Sequence, residues 1–358
     1  MLEDASPLQW RIRKELYFTG YLTVMDYSLV FAGQLRRQYL IPPEGRPLLD
    51  VPGGNLLYAG AGARLWADSV LLLSRVAENY PHDWLKSFQK FGLDSRGIKI
   101  LPGSLDMRTF MVYTDQQNYQ RTNPVSHFVR LGLPFPKGLL GYQPPQSEQD
   151  NRRMANLDSP KLADIPDDYY LAKAVHLAPL DLLTHTQLAP AFRHAGAQIV
   201  TIDPGPGYMT ANYLDDLRSL LQGVTAFLPS EEEIRSLFWG RTNDLWEMAA
   251  TLASFGCEVI VIKRGGRGQY VFERSSAKKW EIPAYPSRLV DPTCAGDAFC
   301  GGFLAGMAAT GDPLAAAMQG NISASFCIEG SGAFYMLDTM PGLARARLES
   351  LSNLVKQG

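Results

Sequence analysis

Between residues 173 and 262, short apolar runs alternate with amphipathic stretches of helix length. KAVHLA (173–178), QIVTI (198–202), VTAFL (224–228) and EVIVI (258–262) read as strands. The stretches near 184–195, 211–221 and 244–255 lie between them and read as helices. Parallel neighbours in a sheet must be joined by a crossover, usually a helix. The alternation therefore confines the chain to βαβ units: an open, mostly parallel, doubly wound α/β sheet with helices on both faces.

The N-terminal half departs from this rhythm. YFTGYLTV (17–24) and VLLL (70–73) read as sheet strands, but residues 30–50 are charged and proline-rich and do not suit a crossover helix. RTFMVYTDQQNYQRT (108–122) reads as exposed antiparallel strand pairs. The two stretches, 30–50 and 108–122, are expected to form a small β lid over the open sheet. Residues 131–168, rich in Pro, Gln, Asn and Asp, read as a long surface connection. The expectation is one α/β domain over 1–358 with a lid excursion.

A chain of 358 residues with 46% hydrophobic content can bury a core of this kind. The formal net charge of −2 gives no attraction to nucleic acid or anionic lipid, so neither partner is expected. No apolar run approaches the ~18 residues of a membrane span, and the opening MLEDASPLQW does not read as a secretory signal. Cys257, Cys294, Cys300 and Cys327 form no CxxC pair and read as reduced thiols of a cytoplasmic protein. The histidines lack metal spacing; His176, inside an apolar run, reads as a core residue.

Residues 291–311, DPTCAGDAFCGGFLAGMAATG, are the most unusual stretch. Phe299, Phe303 and Met307 share a helical face, yet Gly301, Gly302 and Gly306 lie within the same run, each costing about 1 kcal/mol relative to Ala. Cys294, Ala295 and Gly296 bring backbone N–H groups to the helix start, where the dipole favours an anion and small side chains permit close approach. Asp297 at that place suits two roles, a helix cap or a base facing the bound charge. Other phosphate motifs are weak or missing: there is no Gly-Lys dipeptide, and YAGAGARLW lacks the third glycine of a dinucleotide fingerprint. KRGGRGQYVF (263–272) follows a buried strand and suits either a nucleotide-contacting turn or a simple glycine turn.

Together these stretches resemble the PfkB, or ribokinase-like, carbohydrate kinases. DPTCAGDAFCGGFLAG is similar to their C-terminal signature, and VPGGNLLYAGAGARLW (51–66) to their N-terminal glycine pair. FGLDSRGIKILPGSLDMRTF resembles the turn before the lid strands, VIKRGGRGQYVF the G-x-x-G nucleotide turn, and GNISASFCIEGSGA (320–333) the helix near the adenine. The motifs follow in the family's order over roughly residues 17–335.

The resemblance implies transfer of the ATP γ-phosphoryl to a hydroxyl of a small sugar-like acceptor. It makes Asp297 the catalytic base, and the N–H groups of Cys294, Ala295, Gly296 and Asp297 the anion hole. Asp26, Gly53, Gly54 and Asn55 fall at acceptor-binding positions. Lys263, Gly265, Gly268 and Asn321 fall at nucleotide positions. Glu233 falls at the Mg2+-organising glutamate, and Asp291 and Thr293 where many relatives help bind a monovalent cation such as K+. Pairing of lids into a homodimer is a further trait of the family. Cys294 stands where Gly or Ala is usual, Ser230 where the family's N-x-x-E motif has Asn, and Tyr58 where many relatives have Asn. A non-catalytic binding protein and a nucleoside kinase are the alternatives on the same fold.

Overall fold

The computed structural model describes residues 28–116, 118–144, 152–354 and 356–357. Asp26 and the 17–24 run lie outside these residues. The strands are β1 (Leu29–Ala32), β2 (Arg36–Ile41), β3 (Leu48–Gly53), β4 (Val70–Ala77), β5 (Leu93–Leu101), β6 (Arg108–Tyr113) and β7 (Tyr119–Gln120). They continue with β8 (Ala174–Leu177), β9 (Ile199–Ile202), β10 (Ala226–Phe227), β11 (Val259–Lys263), β12 (Gln269–Glu273), β13 (Lys278–Ile282) and β14 (Lys356–Gln357). The helices that bear on the site are α1 (Asn55–Arg64), α2 (Leu182–His194), α3 (Glu231–Leu237), α4 (Leu245–Ser254), α5 (Ala295–Thr310) and α6 (Pro313–Cys327).

Ten strands form one sheet in the order β14-β13-β12-β11-β10-β9-β8-β1-β4-β5. The neighbours from β5 to β11 are parallel, and β12, β13 and β14 close one edge antiparallel. All four residues of β1 are buried: Leu29 and Phe31 join one core, Val30 and Ala32 the other. This two-sided alternation is what a central parallel strand requires. One face carries α1, α5 and α6 through Leu57, Phe299, Phe303 and Ile322. The opposite face carries α2, α3 and α4 through Leu188, Ile234 and Met248.

The expected lid begins too early in sequence. Residues 29–32 are the central strand of the main sheet, and the remaining strands of the two expected lid segments join a second sheet ordered β3-β2-β6-β7. LVFA is short enough to be mistaken for part of the polar excursion, whereas its pairing with β4 on one side and β8 on the other makes it the sheet's centre. The lid alternates. Tyr39, Ile41, Phe110 and Val112 face outward into a small core with Phe128, Leu139 and Tyr142 of the chain's own 124–142 segment. Gln38, Leu40, Thr109, Met111 and Tyr113 occupy the alternate positions and so face the other way.

The small residues of α5 serve contacts with its neighbouring helices. A Cβ on Gly301 would lie 1.9 Å from the Ala59 carbonyl of α1, and one on Gly62 of α1 would lie 2.2 Å from the Ala298 carbonyl. A Cβ on Gly302 or Gly306 would strike Ser323 or Ala316 of α6, at 2.3 and 2.6 Å. The glycines thus let three backbones approach, which offsets their poor helix propensity.

Candidate active site

The strand order turns outward in both directions from β1 and β8, so the crevice above their carboxyl ends is the topological switch point where open α/β sheets bind ligands. Asn55 bridges that crevice. Its Oδ1 accepts from Gln34 N–H after β1 at 2.7 Å, and its Nδ2 donates to the Pro179 carbonyl after β8 at 2.8 Å. The amide expected to touch an acceptor thus also ties together the loops that follow β1 and β8. Gly53 and Gly54 make room beside it. A Cβ on Gly53 would meet Gln38 Oε1 at 2.0 Å, and one on Gly54, whose φ is 101°, would meet the Gln34 carbonyl at 2.3 Å. Gln38 in turn accepts from the buried Tyr58 hydroxyl at 3.3 Å. Beneath the lid edge, Asp158 accepts from Gln34 Nε2 at 3.3 Å and pairs with Arg36. No motif marks Asp158, which lies in the proline-rich connection.

The start of α5 lies near the end of β11, where a Cβ on Gly296 would come within 3.5 Å of Lys263 Nζ. Cys294 holds φ 58°, ψ 20°, the left-handed region that favours glycine. The turn begins with Asp291, buried, whose Oδ1 accepts from Thr293 N–H at 3.0 Å. The Ala295 N–H leans on the Pro292 carbonyl at 3.3 Å, while Gly296 and Asp297 lie in the first helical turn, ahead of any i−4 partner within the helix. Thr293 Oγ1 lies 3.2 Å from the Tyr113 hydroxyl, which joins this loop to lid strand β6. Glu44 N–H donates to the Val290 carbonyl at 3.2 Å and Glu44 pairs with Arg288 at 2.9 Å, so the β2–β3 hairpin meets the same loop.

Asp297 is partly buried, and its carboxyl is pushed up to about 6 by burial; Lys263 and a hydrogen bond with Cys294 hold it down, and Glu233 pushes it up. Burial raises the Cys294 thiol well above its usual range, so it is a neutral group at this turn. Glu233 is the third residue of α3 in a capping box. Its Oε2 accepts from both Ser230 N–H and Ser230 Oγ at 2.7 Å, and its own N–H donates back to Ser230 Oγ at 3.2 Å. Serine in place of asparagine keeps the cap, because either side-chain oxygen can accept from that N–H. Ser230 also bridges Lys263 in the sheet, which sets α3 beside β11.

The Lys263 side chain turns toward the sheet's carboxyl end rather than into the glycine turn. Its Nζ lies 2.5 Å from Asp203 Oδ2, at the end of β9. Burial alone would push the ammonium down, but Asp203 beside it holds it above its usual range. Gly265 and Gly268 adopt φ of 55° and 82°, and a Cβ on Gly268 would lie 1.9 Å from the Ile282 carbonyl. The turn is gripped from outside by the buried Glu231, which pairs with Arg264 at 3.2 Å and Arg267 at 2.9 Å. Asn321 accepts from Tyr285 N–H at 2.9 Å and donates to Gln269 Oε1 and the Pro283 carbonyl, each at 2.8 Å. It therefore shapes the 283–285 loop with its whole amide.

Asp297, Lys263, Glu233 and the 294–297 turn thus come together from three distant parts of the chain, while Asn55 and Asn321 each hold neighbouring loops of the protein in place. Asp203, Asp158 and Tyr113 were missed by sequence reasoning; an acid directly after a predicted strand was the one signal available for Asp203. His176 is core, with Nδ1 2.9 Å from Thr201 Oγ1. Among the described residues no three His, Cys, Asp or Glu side chains form a metal-holding group, and no helix is long and apolar enough to cross a membrane.

The chain is similar to known proteins throughout this region. It is 30% identical over 290 residues to a cytidine kinase of Thermococcus kodakarensis, covering 80% of this chain and 90% of that one. Its fold matches an E. coli protein described as a putative ribokinase II in complex with ATP and Mg2+, at TM-score 0.67 and 16% identity over 90% of this chain and 99% of the other. A Burkholderia thailandensis nucleoside kinase in complex with inosine matches at TM-score 0.63 and 17% identity over 91% and 99%. The profile of the pfkB family carbohydrate kinases matches residues 139–340, more than half of the chain. With the signature turn at the start of α5 and the sheet order around it, this makes the chain a member of the pfkB carbohydrate kinase family.

Proposed function

We propose that this kinase moves the γ-phosphoryl of ATP to a hydroxyl held between the lid and the β1–β8 crevice, with Asp297 as the general base. The observation that carries the reading is Asp297 itself: a partly buried carboxylate beside the first-turn N–H groups of α5, with Lys263 at the end of β11 and Glu233 of α3 near it. The acceptor hydroxyl gives its proton to Asp297 as its oxygen attacks the γ-phosphorus, and the bond from that phosphorus to the bridging oxygen breaks, with ADP leaving. The N–H groups of Gly296 and Asp297, with Cys294 and Ala295 at the turn, face the charge that grows on the transferring group. The positive end of α5 adds to that field. Lid closure over Gln38, Met111 and Tyr113 excludes water, so the phosphoryl group goes to the acceptor rather than to hydrolysis.

Mg2+ bound with ATP would neutralise phosphate charge, and its preference for retained water suits a site where no ligand cluster converges among the described residues. Glu233 is the residue we assign to orient that hydrated ion. Gly265, Gly268 and the Asn321-shaped loop would receive the nucleotide. Asp291 and Thr293 remain the candidates for a K+ site. Asp26, outside the described residues, keeps an acceptor role on the resemblance alone. A homodimer through the lid is left to the edges of the lid sheet, since its outer face carries the chain's own Phe128, Leu139 and Tyr142.

For the acceptor we favour a nucleoside over a free sugar. Identity of 30% to a cytidine kinase across 90% of that protein's length supports this. The test is ADP release from Mg-ATP with cytidine, other nucleosides, ribose, fructose and sugar acids in parallel. Turnover with a nucleoside and none with free sugars is expected. Turnover only with a sugar or sugar acid refutes the acceptor class, and turnover with none refutes the reading of the site.

A further inference from the structure

We propose that Lys263 and Asp203 form a charge pair that governs the ionisation of Asp297: Lys263 keeps Asp297 a carboxylate at neutral pH, and Asp203 partly offsets that pull. Both are positioning residues. The catalytic meaning of the pair rests on Asp297 being the base; its electrostatic effect does not.

The pair sits directly behind the anion-hole turn. Lys263 is the last residue of β11 and Asp203 the first after β9, with side chains only 13% and 4% exposed. Cys300, one turn into α5 from Asp297, lies 3.3 Å from Asp203 Oδ2 and 3.7 Å from Lys263 Nζ. A Cβ on Gly296 would lie 3.5 Å from Lys263 Nζ, so this glycine leaves a short path between the ammonium and the helix start. Burying an ion pair is costly and often adds nothing to stability. A strut between β9 and β11 is also redundant, since β10 already bonds to both. The pair therefore calls for another role.

The charges around Asp297 supply one. It is faced by Lys263, by Glu233 from α3 and by Cys294 of its own turn. Tyr58 of α1, Asp203, Cys300 and Cys327 of α6 interact with it as well. Burial keeps the three thiols and the phenol neutral at pH 7. Burial pushes the Asp203 carboxyl up to about 7 against the pull of Lys263 beside it; Glu233 and the ionised form of Asp203 oppose the Asp297 charge, and among the described residues the cation facing it is Lys263.

Carboxyl-13C-aspartate labelling of the full chain, with the Asp297 resonance assigned by its loss in Asp297→Asn, reads the ionisation without nucleotide or acceptor. Lys263→Met should raise the Asp297 midpoint by about one pH unit or more. Asp203→Asn should lower it, and Lys263→Arg should leave it near the wild-type value. A strut predicts no such opposition. An unmoved midpoint, or movement in the same direction in Lys263→Met and Asp203→Asn, overturns the proposal. If the single variants do not fold, the double variant Lys263→Met/Asp203→Asn removes both charges; its midpoint should still lie above wild type, and an unchanged one overturns the proposal. The acid limb of kcat/KM on the best acceptor should move with the resonance. A resonance that moves while the limb stays still leaves the charge pair standing and refutes Asp297 as the base.

Discussion

Replacing Asp297 by Asn tests the chemistry and the electrostatics of the site at once. As a general base, Asp297 should contribute about 10²- to 10⁴-fold to the rate. Asn keeps the size and the capping capacity but cannot take the proton, so kcat should fall by about that factor while Mg-ATP affinity changes little. Judged from the sequence, where Asp297 is either cap or base, the Asn variant should be as stable as wild type. The structure adds a sign. A carboxyl whose value is lifted by folding binds its proton more tightly in the folded state. Its contribution to stability is therefore full below the ordinary value of 3.8 and is lost as pH rises through about 6. At ~1.4 kcal/mol per pH unit the full span approaches 3 kcal/mol at pH 8. Partial contact with solvent reduces this to roughly 1–2 kcal/mol. For a chain of 358 residues that is a rise in Tm of about 2 °C for Asp297→Asn at pH 8, shrinking toward nothing near pH 4. Scanning calorimetry at the two pH values, beside kcat on the best acceptor, checks both. Wild-type turnover in the Asn variant would reduce Asp297 to a cap. A variant less stable at pH 8 than wild type would mean that the carboxylate is stabilised there, contrary to its burial.

Cys294→Gly removes a side chain held at φ 58° and should keep or raise kcat, with stability changed by no more than about 1 kcal/mol; a large loss of rate would give the thiol a role of its own. Tyr113→Phe removes the hydroxyl beside Thr293 and should lower kcat/KM for the acceptor about 5-fold, as loss of one ordinary hydrogen bond does. Faster hydrogen exchange in β6 of the acceptor-bound variant should accompany that loss, and unchanged kinetics would sever the lid from the signature loop. Gly301→Ala drives a methyl into the Ala59 carbonyl and should destabilise by about 1–3 kcal/mol or more in urea unfolding; wild-type stability would mean that α1 and α5 are not so closely apposed.

The C-terminal half of the sheet was legible because parallel strands are buried on both faces and read as apolar runs, and the helices between them carry their own periodicity. EVIVI and KAVHLA needed no tertiary information. The signature was legible for a similar local reason: a glycine-rich helix start with an acid is a short-range pattern. Local sequence could not say where those glycines point, because three helices approach one another only after the sheet has set their spacing. It also could not separate LVFA from the lid, since only pairing with β4 and β8 makes four residues a central strand. Asn55 and Asn321 read as ligand contacts in sequence, and local sequence could not show that each also holds loops of the protein. Their backbone partners come from loops at the ends of other strands. Asp203 and Lys263 lie 60 residues apart and meet because β10 holds β9 and β11 one strand apart. The turn proposed as the anion hole was thus written in one contiguous stretch, while the charge pair behind it was decided by the order of strands in the sheet.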